Sequence, residues 1–455
     1  MTTESRSELQ GILDNSKLGP MQIASMIVCF VVIALDGFDT QSVSFVAPTL
    51  RETWSVAPEL FGPLFGAGLL GTLVGSISLG SLADRMGRKP LVIVSTSIFG
   101  LMTLTCATAT SIEQLGMYRF IAGIGLGGVI PNVLALISEY SPRRIRTTAI
   151  VVTFAGFPIG AILGGMASAR IIPAFGWEAV FMLGGVLPIL MIPAIAKWVP
   201  ESARYIAGRQ DRRVQLQRLL RRIDPGLTDD MIAKLGVPVE RARPIPVKNL
   251  FSRGRYAWTI LLWLLTFTTL LLAYFLVNWI PLLLSDAGLD RHDAIMGVVV
   301  LNLGGVIGSF FIGRITDRRG PFKALAVSFF IGAIGVASVG WMIDSPTSTL
   351  LALIFVVGLF IFGAQLNLSA ISANYYPVYM RSTGIGWAMG MGRFGSFVGP
   401  TIGGALIAYG FARGEMFLSA AIPALLAGLI VIVMSFNVPR MDEAEADGPA
   451  SPRSS

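Results

Sequence analysis

Asp36 and Asp39 stand three residues apart inside an apolar run from Met21 to Ala47, and that setting gives them chemistry to do. On a helix the i, i+3 spacing puts both carboxylates on one face. An unpaired charge near the middle of hydrocarbon costs roughly 2.5–3.5 kcal/mol on insertion scales. Acids kept there are expected to take up and release protons or to meet a cation. Desolvation favours a neutral carboxyl and a nearby Arg favours a charged one, so a change of surroundings can switch which effect wins. Asp39, nearer the outer entrance, is the first choice as proton carrier. Arg119, in the fourth apolar run, and Arg393, in the eleventh, are cations in similar settings.

These residues need a membrane around them and helices to hold them in it. The chain has 455 residues, 53% of them hydrophobic and 14% charged, with a mean hydropathy of +0.70, which excludes an ordinary soluble domain. Its apolar runs are nearly uninterrupted and mostly long enough to cross hydrocarbon as helices, whereas barrel strands would be short and alternating. The runs are 21–47, 60–82, 90–109, 114–138, 147–170, 177–198, 257–284, 294–314, 322–343, 349–374, 381–409 and 415–437. The expected fold is all-α: twelve transmembrane helices in two six-helix bundles, 21–198 and 257–438. A 1–20 segment precedes them, a polar loop 199–256 divides them, and a polar tail 439–455, too poor in apolar residues to pack, follows. Within the loop, Val214, Leu216, Leu219 and Leu220 among arginines suit either an amphipathic helix at the membrane surface or a plain connector.

The net charge of +8 and the isoelectric point near 9.7 describe topology rather than a nucleic-acid partner. Of 35 Lys and Arg, 29 fall on one side by this segmentation. Four (Arg51, Arg170, Arg291, Arg413) fall on the other, and Arg119 and Arg393 lie inside runs. Cations accumulate on the cytoplasmic side, so both termini are expected there. Cys29 and Cys106 lie within runs and have no ligand spacing, so neither a metal nor a disulfide framework is expected. His292, the one histidine, reads as a solvated loop residue.

The two halves repeat. Gly80-Ser-Leu-Ala-Asp84-Arg85-Met-Gly-Arg88 is echoed by Gly313-Arg-Ile-Thr-Asp317-Arg318-Arg-Gly320, with Gly and Asp displaced by one and the same interval. Tyr140-Ser-Pro142 with Arg146 is echoed at almost that interval by Tyr375-Tyr-Pro377 with Arg381. Duplicated six-span halves mark secondary transporters whose site lies near mid-membrane. In each loop a Gly permits close helix approach, and an Asp can meet a helix start or the neighbouring arginines. Gly80, Asp84, Arg85, Arg88, Glu139, Arg146, Asp317, Arg318 and Arg381 are accordingly the gate candidates.

Arg393 has Pro158 at its equivalent in the first half, and an asymmetric buried cation suits an anionic substrate, since Arg meets a carboxylate through two parallel bonds. Tyr274, Asn278 and Trp279 of the seventh run and Gln365 and Asn367 of the tenth are candidates for ring contacts and hydrogen bonds around it. Gly123-Ile-Gly125-Leu-Gly127-Gly128 fits a dinucleotide fingerprint but lies inside an apolar run with no preceding strand, so helix contact explains it better. No phosphate-binding loop for ATP occurs, and no cofactor is expected.

The Gly80 loop, its second copy, Arg119-Phe-Ile-Ala-Gly123-Ile-Gly125 and Pro200-Glu201-Ser202-Ala-Arg204 together resemble the major facilitator superfamily, over about residues 20–438. Asp36-Gly-Phe-Asp39, supported by Gly392-Arg393-Phe-Gly395, is similar to the signature of the aromatic acid:proton symporter family. The resemblance implies import of a hydroxybenzoate-like acid with protons across a bacterial inner membrane, by a non-enzymatic protein expected to be a monomer. It also implies that the first and fourth spans line one cavity. At ~1.5 Å per residue, Asp36 lies ~22 Å from the inner face. Arg119 lies ~8 Å below the outer face of a ~30 Å core, the same depth. Arg119 is thus expected to approach Asp36 or Asp39. The rivals are a same-fold carrier of a sugar acid, dicarboxylate or sugar, an exporter, and, from another class, a receptor or embedded enzyme.

Overall fold

The computed structural model describes residues 11–16, 18–207, 209, 212–223, 246–252, 255–368, 371, 376 and 380–436. The apolar runs are helices, and no strand occurs among the described residues. In the first half these are α1 (Pro20–Trp54), α2 (Phe61–Met86), α3 (Arg88–Cys106), α4 (Ile112–Tyr140), α5 (Arg146–Phe154), α6 (Gly156–Phe175) and α7 (Glu178–Trp198). Two short helices follow, α8 (Ala203–Ala207) and α9 (Arg213–Ile223). The second half has α10 (Tyr256–Asp286), α11 (Arg291–Arg319), α12 (Pro321–Trp341), α13 (Thr347–Val357), α14 (Gly363–Leu366), α15 (Arg381–Ala408) and α16 (Arg413–Phe436).

By length and composition, eleven spans qualify among the described residues, and α15, at 28 residues, takes the eleventh place of twelve. The fifth run is one span in two helices, broken at Ala155. Pro158 has no N–H for the carbonyl of Phe154 and its ring crowds that turn, which explains the break. The tenth run contains a π-helical turn, Gly358–Phe362, between α13 and α14. Helix starts are capped by sequence-local oxygens: Ser111 accepts from the Gln114 N–H, and Asp290 from that of Asp293.

The chain divides into two compact units, Met1–Trp54 with Ala67–Ala242 and Ser55–Gly66 with Arg243–Ser455. In unit 1, α1 packs on α6 and α3 on α7. In unit 2 the equivalents repeat, α10 on α15 and α12 on α16. The duplicated loops also repeat in backbone: Gly87 and Gly320, which correspond in the two copies, both adopt positive φ, 98° and 82°, where a side chain would be strained. Large apolar side chains such as Phe310 (71% exposed) and Trp341 (74%) cover the outside, as lipid-facing helices require.

The first and fifth spans touch backbone to backbone. A Cβ on Gly37 would strike the carbonyl of Phe157, and one on Gly160 the carbonyl of Ala34. Gly156 and Gly164, one turn to either side of Gly160, meet the Phe30 carbonyl and the Phe38 ring. The small-residue stripe therefore seats α1 against α6, and the acid pair lies within the seated stretch.

Candidate functional site

The site in unit 1 is built where α1, α3 and α4 meet. Asp39 is fully buried and Asp36 is 2% exposed. Arg119, 3% exposed, points its Nη1 at both oxygens of Asp39, each 3.0 Å away, and its Nη2 donates to the Asp39 carbonyl at 2.9 Å. The expected approach of Arg119 to one of the two acids is realised as an ion pair, and it is Asp39, rather than the Asp36 whose depth matched, that holds the guanidinium. Asp36 accepts from Thr40 Oγ1, one turn along α1, at 3.2 Å.

Two members of this cluster escape sequence reasoning. Thr103 Oγ1 donates to Asp39 Oδ1 at 2.6 Å, and the Cys106 thiol adjoins the Arg119 guanidinium. Both are fully buried and lie on α3 at i, i+3. That spacing of two small polar groups in an apolar run is the one signal that points to them, and Thr in a membrane helix more often bonds its own backbone.

Arg393, on α15, has a different setting. It is half-buried, and among the described residues no carboxylate pairs with it. The stretch around it presses on α10: a Cβ on Gly395 would strike the Phe267 carbonyl, and Thr266 Oγ1 donates to the Ala388 carbonyl at 2.9 Å. Phe394 beside it faces Phe267, ring centroids 6.0 Å apart.

The other candidates of unit 2 carry described bonds of a packing kind. Trp279 is fully buried, and its Nε1 donates to the Pro400 carbonyl at 3.0 Å. Asn278 Nδ2 bonds the Tyr274 carbonyl one turn back at 2.7 Å. Asn367 Nδ2 reaches the carbonyls of Ser309 at 3.1 Å and Gly363 at 2.8 Å, tying the end of α14 to α11. Gln365 and Tyr274 are half-buried.

The gate candidates divide sharply between the halves. In unit 1, Glu139 is 4% exposed, accepts from Ser202 Oγ at 2.8 Å and the Arg204 N–H at 2.6 Å, and has Arg88 Nη1 at 3.7 Å. Glu201 Oε1 accepts from the N–H groups of Arg88 at 2.9 Å and Lys89 at 3.2 Å. A carboxylate thus meets the start of α3, but it comes from beyond α7. Tyr140 Oη donates to the Glu201 carbonyl, and the Arg85 carbonyl accepts from Tyr205 Oη at 3.0 Å. Arg146 pairs with Asp14, so the N-terminal segment docks on unit 1, with Leu13 buried.

One expectation needs correcting. A Cβ on Gly80 would meet nothing within 4 Å, because its place on α2 is open; close helix approach does not explain that glycine. In unit 2, Asp317 and Arg318 are exposed and have no ion pair among the described residues, while part of the segment that echoes the unit 1 cluster, residues 372–375 and 377–379, lies outside them. The side chains of Asp84 and Arg381 lie outside those described. Helix α9 forms, with Leu216, Leu219, Leu220 and Ile223 buried against residues that include Leu13, Tyr140 and Ile206, while Val214 stays exposed, so most of its apolar face is spent on protein. His292 is exposed beside Asp293, at 3.2 Å.

Residues 29–369 match the Major Facilitator Superfamily. The chain is 34% identical over 420 residues to the gallate transporter of Pseudomonas putida, covering 92% of this chain and 93% of that one. It is 33% identical over 432 residues to the 4-hydroxybenzoate transporter PcaK of Pseudomonas aeruginosa, covering 94% and 96%. Among solved structures it resembles the xylose transporter XylE from E. coli in an inward open conformation. The TM-score is 0.73 at 16% identity over 90% of this chain and 96% of that one, a likeness of fold.

Proposed function

The chain belongs to the major facilitator superfamily, and from that premise we propose that it imports a small aromatic carboxylate together with protons. The observation that carries the coupling is the buried pair of Asp39 and Arg119. While Asp39 is charged, Arg119 is neutralised; when a proton neutralises Asp39, Arg119 loses its counter-ion and the balance of charge in the buried site changes. Asp36, on the same face, is the second acid through which protons reach or leave the site.

The substrate class rests on the relatives, which transport gallate, 4-hydroxybenzoate and benzoate, and on Arg393, whose guanidinium has the geometry for a carboxylate. Phe394 offers the ring face that an aromatic acid needs beside its charged end. The cluster of Arg88, Glu139 and Glu201 closes one end of unit 1 and is the gate. The 29 cations on one side support an inner-membrane protein with both termini in the cytoplasm, and we take it to act as a monomer.

The test is uptake of labelled 4-hydroxybenzoate into proteoliposomes under an imposed pH gradient. Accumulation above equilibrium is expected for the parent and lost in Asp39→Asn and Asp36→Asn. Full accumulation by both variants rejects proton coupling through these acids. Competition by dicarboxylates or sugars, with benzoates inert, rejects the aromatic substrate.

A further inference from the structure

We infer that Thr103 is a positioning residue that sets how readily Asp39 exchanges its proton. The inference rests on the proton-coupling reading above. Asp39 is faced from α4 by Arg119, from α3 by Thr103 and Cys106, and from its own helix by Asp36 one turn earlier. From α7 it is approached by Gly184, where a Cβ would lie 3.8 Å from Oδ1. The titratable residues of α6 and α7, Arg170, Glu178 and Lys197, lie toward helix ends, Arg85 at the far end of α2 is exposed, and Arg146 of α5 is paired with Asp14. The hydroxyl of Thr103 is therefore one of very few groups that answer to the protonation of this acid.

Its geometry suits that part. At 2.6 Å the hydroxyl is in direct hydrogen-bond contact with Oδ1, the oxygen that also faces Arg119. The methyl of Thr103 is directed toward Gly184, where a Cβ would sit 3.3 Å from Cγ2, so packing fixes which branch meets the acid. A hydroxyl is also a rotor. It donates to the carboxylate and accepts from the protonated carboxyl without moving its oxygen. Thr103 thus holds Asp39 against Arg119 in one state and keeps a partner for the acid in the other. Valine has the same shape and offers neither bond, whereas serine offers both.

The experiment is the pH dependence of 4-hydroxybenzoate uptake by the full chain in proteoliposomes, for the parent, Thr103→Val, Thr103→Ala and Thr103→Ser. The hydroxyl bonds the charged carboxylate more strongly than it accepts from the neutral acid, so its loss weakens the charged state more, and the half-maximal pH of uptake is expected to rise by about one unit in Val and Ala. Serine is expected to return it to the parent value. An unmoved half-maximal pH in Val and Ala, with only the maximal rate lowered, overturns the inference and leaves Thr103 a packing residue. Should Val not yield folded protein, Ala alone is read the same way. A parent whose uptake ignores pH rejects the coupling reading itself, whereas a parent profile that Val and Ala leave in place rejects only the role of Thr103.

Discussion

Arg119 and Arg393 are both arginines inside membrane-spanning helices, yet they are held in opposite ways. Arg119 is 3% exposed and gives three bonds to Asp39. Arg393 is half-buried and has no described carboxylate. A cation that carries its own counter-ion is neutral at rest and changes only when a proton arrives. A cation without one is a standing electrostatic demand that an arriving anion satisfies. The difference teaches that the charge inside a span says little until its partner is known, and it is the contrast on which the proposed split between a coupling element in unit 1 and a substrate anchor in unit 2 rests.

The largest expected effect that sharpens this contrast is in Arg119→Leu. It strands Asp39 as a buried charge, a change that costs roughly 3–5 kcal/mol. A fall in the thermal unfolding midpoint of purified protein is expected, and Asp39→Asn on the same background should recover much of it. A stable Arg119→Leu single variant breaks the contrast. Arg393→Lys should leave that midpoint in place and raise the KM for 4-hydroxybenzoate about tenfold, which corresponds to ~1.4 kcal/mol. Unchanged KM in initial-rate uptake counts against the anchor. Smallest is a thermal shift: an aromatic acid at about 100 times its Kd should stabilise the parent by about 2.7 kcal/mol. Arg393→Gln should show little of that shift, while benzyl alcohol, which lacks the carboxylate, should shift neither.

Much of this was legible in the residues because membrane spans obey one strong rule, that backbone polar groups pair within the helix. The twelve runs, the duplication and the equal depth of Arg119 and the acids follow from counting. What escaped depends on contacts between distant segments. Glu201 meeting the start of α3, Asp14 meeting Arg146 and Thr103 meeting Asp39 each join stretches far apart in the chain, and no local period encodes them. The second loop keeps the motif and the glycine φ of the first, because a turn is encoded locally, whereas the ion pairs of the first loop depend on partners distant in sequence. The fifth run reads as one span by hydropathy, although Pro158 already marked where its ladder fails.

The seam between α1 and α6 has a mechanical corollary. Where main chain rests on main chain at Gly37 and Gly160, there is no cushion of rotatable side chains to shear. Those two helices are built to travel as a single strut, so under the proposed coupling the opening that admits a proton to Asp39 comes from movement elsewhere in the bundle.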